Sequence, residues 1–182
     1  MVVLGDSFTV GVGSDAEAGY VGALADRMDW TVVPEAESGT GYVNPGREPG
    51  LEVYGGRVAS VVAEAPDIVL VQGSTNDVGA GSPADIGRAA ADVYAALAAA
   101  LPEARVVVLG PLDSPVVDRD GVLAARDAVA GAAARAGLPF IDPIEENWLD
   151  SPELFADGLH PDDPGYAEFA GDLTDALRDL GF

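Results

Sequence analysis

The chain reads as an α/β protein on a five-stranded parallel sheet, and three observations carry that reading. Short apolar runs recur at residues 1–4, 30–33, 67–71, 105–109 and 138–141. Two of them, Asp-Ile-Val-Leu-Val and Arg-Val-Val-Val-Leu, are continuous rather than alternating, as expected of strands covered on both faces. The longer stretches between the runs have helical periodicity, so each strand is followed by a crossover helix. Right-handed crossovers then favour a doubly wound, flavodoxin-like three-layer α/β/α sandwich with strand order 2-1-3-4-5.

Each element has its own signals. The first strand begins at once and ends at Leu4, just before Gly5, and the second precedes Pro34. After the third, Ser82-Pro83-Ala84-Asp85 offers an N-cap serine with proline at the first helical position, opening an alanine-rich helix to about Leu101. Residues 123–136 read as the next helix, closed by Gly137 and Pro139. Asp162-Asp163-Pro164 opens the last, which runs to about Leu180. The irregular pieces 38–56, 111–120 and 142–157 all leave carboxyl ends of strands, where open α/β sheets place ligands.

With 182 residues and 48% hydrophobic content, one self-sufficient domain over residues 1–182 is expected, and a monomer. There are no cysteines, which excludes disulfides, thiolate metal sites and a cysteine nucleophile. The single histidine, His160, cannot form a multi-histidine metal site, and no cofactor is implied. The charge is one-sided: 31 Asp and Glu against nine basic residues, all arginine, give a formal net −22. Such a surface repels phosphate backbones and anionic lipid, so nucleic-acid and membrane-surface partners are disfavoured. No apolar run approaches a membrane span. A cytoplasmic location is expected if the chain is complete, a secreted one if an upstream leader has been trimmed.

Three strand ends and one pre-helix loop carry the chemistry. Gly5-Asp6-Ser7-Phe8-Thr9 places a serine where a strand turns into a helix, its hydroxyl at the sheet edge near backbone N–H groups. That suits a nucleophile; the segment alone is equally a capped turn. A phosphate cradle at Gly11-Val12-Gly13 is weaker, since the glycine spacing and the lysine of a phosphate-binding loop are both missing. Asp157-Gly158-Leu159-His160-Pro161 pairs a carboxylate with an imidazole three residues on, able to fix the tautomer that accepts a proton from a serine. Taken alone, His160 is also a cap or surface residue. An acyl-transfer site further needs donors for an oxyanion. Gly73-Ser74-Thr75-Asn76-Asp77 brings an amide to the same edge, and Glu37-Ser38-Gly39-Thr40 a glycine N–H. Asn76 and Gly39 also read as turn residues.

Together, and in this order, the four segments resemble the four blocks of the SGNH hydrolases, or GDSL-type lipases and esterases, over residues 2 to about 170. One departure is Pro34, where many relatives have an asparagine after the second strand. The resemblance implies the SGNH hydrolase fold and a carboxylic ester hydrolase without metal or organic cofactor. It implies Ser7 as nucleophile, His160 as general base and then acid, and Asp157 as its orienting carboxylate. The oxyanion would be held by the N–H of Ser7, the N–H of Gly39 and the amide of Asn76. Asp6 and Asp77 read as structural, each able to bond nearby backbone N–H groups.

The expected substrate is a small ester: short-chain acyl or O-acetyl carbohydrate esters, neutral or cationic given the −22 charge. Phe8, Tyr42 and Trp148 are candidate substrate-binding residues, with Val12, Leu149, Leu154 and Phe155 as further walls. Two other readings keep the same sheet: a catalytically weak carbohydrate- or ligand-binding relative, and a flavodoxin-like nucleotide-binding module. The intact serine, aspartate, histidine and asparagine set weighs against the first, and the missing phosphate loop against the second.

Overall fold

A computed structural model describes residues 1–15 and 18–182. Five parallel strands, β1 (Val2–Gly5), β2 (Val33–Ala36), β3 (Ile68–Gln72), β4 (Arg105–Leu109) and β5 (Phe140–Ile141), form one sheet in the order β2-β1-β3-β4-β5. This is the doubly wound order expected from the alternation of strands and helices.

Residue alternation within the continuous runs separates two cores. Val2, Leu4, Val69, Val71, Val106 and Val108 face one side; Val3, Leu70, Val107 and Leu109 face the other. On the first side lie α3 (Tyr54–Ala63), α4 (Pro83–Ala100) and α5 (Arg119–Ala136), through Val58, Val61, Val93, Leu97 and Val129. On the second lie α2 (Val21–Met28) and α6 (Asp163–Asp179), through Leu24, Phe169, Leu173 and Leu177. A short α1 (Ser7–Val10) leaves β1 directly. The strands of the middle three positions are therefore dry on both faces, which is why their sequence shows no alternation.

The second strand lies three residues beyond the expected 30–33, at Val33–Ala36, and it contains Pro34. The physical reason is its edge position. Val33 N donates to the Met1 carbonyl and Glu37 N to the Gly5 carbonyl, so in this parallel ladder the nitrogen of Pro34 faces away from β1 and loses no bond. The apolar residues Trp30 and Val32 instead pack against the second core from the approach to the strand. The fifth strand is shorter than expected, and α5 starts at Arg119 rather than at 123 because Asp118 caps it, accepting from Gly121 N at 2.8 Å. The Ser82 capping box at α4 and the Asp162 cap at α6 form as expected, and Gly137 closes α5 at φ 70°.

Candidate active site

The carboxyl edge of the sheet collects the four segments. β1 ends at Gly5, and Asp6 caps α1 by accepting the Phe8 N–H at 3.0 Å. The cap turns the chain sharply enough that Ser7, the first residue of α1, presents its hydroxyl to the edge. From the loop before α6, His160 Nε2 meets Ser7 Oγ at 3.0 Å, and Asp157 Oδ2 meets His160 Nδ1 at 2.9 Å. The other carboxylate oxygen of Asp157 accepts the N–H of Leu159 at 2.9 Å and of His160 at 2.7 Å. These bonds close the Asp-Gly-Leu-His turn on itself, so the aspartate orients the imidazole through both ring and backbone. Partial burial raises the Asp157 carboxyl, but the His160 N–H, the imidazole and the Leu159 N–H outweigh it and hold the group at about 2. It stays ionised wherever the imidazole could need it.

The second and third segments supply donors. Gly39 sits in the turn after β2 at φ 77°, a left-handed conformation that glycine adopts without a Cβ penalty. Neither its N–H nor that of Ser7 has an acceptor among the described residues. After β3, Thr75–Asp77 form one 3-10 turn in which the Ser74 hydroxyl accepts the Asn76 N–H. Asn76 Nδ2 donates to Asp6 Oδ2 at 3.1 Å and to the Thr40 carbonyl at 3.0 Å. Its amide thus bridges the Ser7 elbow and the Gly39 loop.

Asp77 is structural, as its position suggested: its carboxylate accepts the N–H groups of Tyr42, Val43 and Asn44 at 2.9, 2.9 and 3.0 Å. Gly41 is required beside it, because a Cβ there would lie 2.5 Å from Asp77 Oδ1. Burial raises the Asp77 carboxyl, against those three N–H bonds. Asp6 does more than cap. It is fully buried, and burial pushes its carboxyl up to about 7, with the Phe8 and Gln72 contacts lowering it, the Asp77 charge raising it and the Arg57 charge lowering it.

The shift at Asp6 has a consequence for stability. With a folded value near 7 against 3.8 for the free side chain, the native state keeps between those limits a proton that the unfolded chain has released. The Asp6 contribution to stability is therefore largest below the lower value and declines as pH rises toward the upper one. Asp6→Asn cannot titrate, so its melting temperature should fall less than that of the wild type between about pH 4 and about pH 7. Equal slopes in differential scanning calorimetry would contradict this account of the buried carboxyl.

Around Ser7 and His160 opens a groove of about 810 Å³. Its lining mixes aliphatic side chains, Val12, Leu51, Val78, Val117 and Leu159, with polar ones, Ser38, Asn44, Arg47 and Glu48, beside Gly39 and Asn76. Of the expected walls only Val12 is there. Phe8 and Tyr42 are buried in the second and first cores, at 1% and 2% exposure, and do not line the groove. Phe8 instead backs the imidazole, its ring 5.6 Å from that of His160. Trp148 is buried against Phe169 and borders separate clefts, on the far side of the loop carrying Val117. Leu149 and Phe155 are likewise buried in the second core, with Leu154 packed against it. Among the described residues no Phe, Tyr or Trp side chain lines the groove. Asn44, Arg47, Glu48, Leu51, Val78, Val117 and Leu159 were not anticipated; of these only Leu159, inside the Asp157–His160 segment, had a sequence signal.

Comparison with known proteins places the chain in a family. Residues 3–168 match the model of the GDSL-like Lipase/Acylhydrolase family. The chain is 30% identical to the GDSL lipase Rv0518 of Mycobacterium tuberculosis, over 96% of this chain and 79% of that protein. Among solved structures it superposes on Est24, a carbohydrate acetylesterase from Sinorhizobium meliloti, with a TM-score of 0.81 at 14% identity, covering 98% of each chain. It also superposes on the psychrotrophic esterase EstA from Pseudoalteromonas sp., with a TM-score of 0.78 at 15% identity, covering 98% of this chain and 96% of that one. These two share the fold. On the family match and the mycobacterial relative together, the chain belongs to the GDSL-like lipase/acylhydrolase family and is a carboxylic ester hydrolase.

Proposed function

We propose that the protein hydrolyses short-chain acyl esters, O-acetyl esters of carbohydrates among them, through a Ser7–His160–Asp157 triad and an acyl-enzyme. The observation that carries the reading is the continuous chain of contacts from Asp157 Oδ2 to His160 Nδ1 and from His160 Nε2 to Ser7 Oγ, at 2.9 and 3.0 Å, on the floor of an accessible groove. In the tautomer that Asp157 favours, Nδ1–H donates to the carboxylate and Nε2 accepts the serine proton.

Ser7 Oγ attacks the ester carbonyl carbon as its proton passes to His160 Nε2, and the carbonyl electron pair moves onto oxygen. Collapse of this adduct breaks the bond to the alcohol, which leaves with the proton from His160. Water then repeats the sequence on the acyl-enzyme, releasing the acid and restoring Ser7. The oxyanion lies where the unpaired N–H groups of Ser7 and Gly39 are available to donate. Both hydrogens of Asn76 Nδ2 are engaged by Asp6 and the Thr40 carbonyl, so Asn76 serves the oxyanion by sharing its Thr40-directed hydrogen in a three-centre bond.

The walls support the substrate class. Five aliphatic side chains give apolar surface suited to a small acyl group, and the polar side chains among them suit a hydroxylated alcohol. That the structural neighbour Est24 is a carbohydrate acetylesterase is consistent with it. Comparing p-nitrophenyl acetate with the decanoate, kcat/KM should favour acetate by about tenfold or more, and acetylated xylose should release acetate. Preference for decanoate would contradict the short-chain assignment.

A further inference from the structure

Arg57 is the buried cation among the described residues, and its bonds converge on the site. It lies on α3 at 2% exposure. Burying a guanidinium is costly unless its donors are met, so where they point is informative. Among the described residues the carboxylate within 4 Å of it is Glu37, 3.6 Å from Nε, and Nε itself makes no hydrogen bond. The fork carries the contacts: Nη1 donates to the Glu35 carbonyl at 2.9 Å, and Nη2 to the Gly5 carbonyl at 3.0 Å and to Thr40 Oγ1 at 2.9 Å. Gly5 stands two residues before Ser7, and Thr40 follows Gly39. Thr40 Oγ1 in turn donates to the Glu37 carbonyl at 2.7 Å, fixing the turn that holds Gly39. The Thr40 carbonyl receives Asn76 Nδ2 and the Ser74 hydroxyl, at 3.0 and 3.2 Å. One guanidinium therefore touches the first two segments directly and reaches the third through a single residue.

We infer that Arg57 is a positioning residue of the oxyanion site: its fork sets the separation of the Ser7 and Gly39 N–H groups and, through Thr40, the aim of the Asn76 amide. The inference rests on the acyl-transfer reading above. Preorganised donors act by being in place before charge develops, and a misplacement of about 1 Å can cost about 10² in rate. Lysine has the charge without the fork, so it can satisfy the carbonyls only in part.

The test is steady-state hydrolysis of p-nitrophenyl acetate by the wild type, Arg57→Lys and Thr40→Val, with melting temperatures and fluorophosphonate labelling of each. Thr40→Val keeps the side-chain shape and the carbonyl while removing the hydroxyl that joins Arg57 to the Glu37 turn. Both variants should lose kcat, Arg57→Lys by about 10²-fold and Thr40→Val by about tenfold, with KM within about twofold of wild type. The rate of labelling should fall in parallel. A core cavity such as Leu97→Ala should lower the melting temperature without that loss of kcat. Wild-type kcat in folded Thr40→Val overturns the proposal, whether or not Arg57→Lys folds. Absence of label on Ser7 in the active wild type sinks instead the acyl-transfer reading itself.

Discussion

Ser7→Ala and His160→Ala should each lower kcat for p-nitrophenyl acetate by about 10⁵-fold or more while leaving the fold intact. Among the described residues the hydroxyl of Ser7 bonds only to His160 Nε2, and the α1 cap depends on Asp6, so nothing structural leaves with the Oγ. The two residues act on one proton, so the double variant should be no slower than either single one. Asp157→Asn should cost less than either, because it disturbs the tautomer and orientation of the imidazole rather than removing it. Stopped assays with circular dichroism on each variant check all of this; turnover within tenfold of the wild type in folded Ser7→Ala would exclude the serine as nucleophile.

Asn76→Ala is the second large effect, with an expected loss of about 10²–10³ in kcat. It differs from the first in also reaching stability. Removing the amide leaves Asp6 Oδ2 and the Thr40 carbonyl short of a donor, at a cost of about 1–3 kcal/mol for a buried acceptor. The two consequences separate by measurement: the loss of kcat should persist well below the melting temperature, with KM little changed. If kcat recovers at low temperature to near the wild-type value, the amide supports the loops and does not serve the oxyanion.

How much of this was legible in the sequence depends on whether a pattern is unique to one environment. The runs at 67–71 and 105–109 were legible because a continuous apolar strand is dry on both faces, and β3 and β4 are. β2 was displaced because Val-Pro-Glu-Ala is a half-buried edge strand with neither continuous nor alternating character, while the apolar Trp30 and Val32 pack against the second core just before it. The four chemical segments were legible because each combines turn residues with one reactive group, and their order was right. The aromatic walls were not: Phe8, Tyr42 and Trp148 stand near the segments in sequence, but a ring beside a motif has the same spelling whether it points into a groove or a core. Arg57 left a signal that passed unread. Tyr54, Arg57, Val58 and Val61 share the i, i+3, i+4, i+7 spacing of one helix face, and the other three are core residues. An arginine on an apolar stripe is either misplaced or held by buried acceptors, and here it is the second.

The central claim is that Ser7 attacks a carbonyl-like centre with His160 as its base. A fluorophosphonate probe forms a stable covalent bond only with such an activated serine, and peptide mass spectrometry locates it. The account predicts a single adduct on Ser7, absent from Ser7→Ala and formed far more slowly in His160→Ala. An adduct on any other residue, or none on an enzyme that hydrolyses p-nitrophenyl acetate, would contradict it.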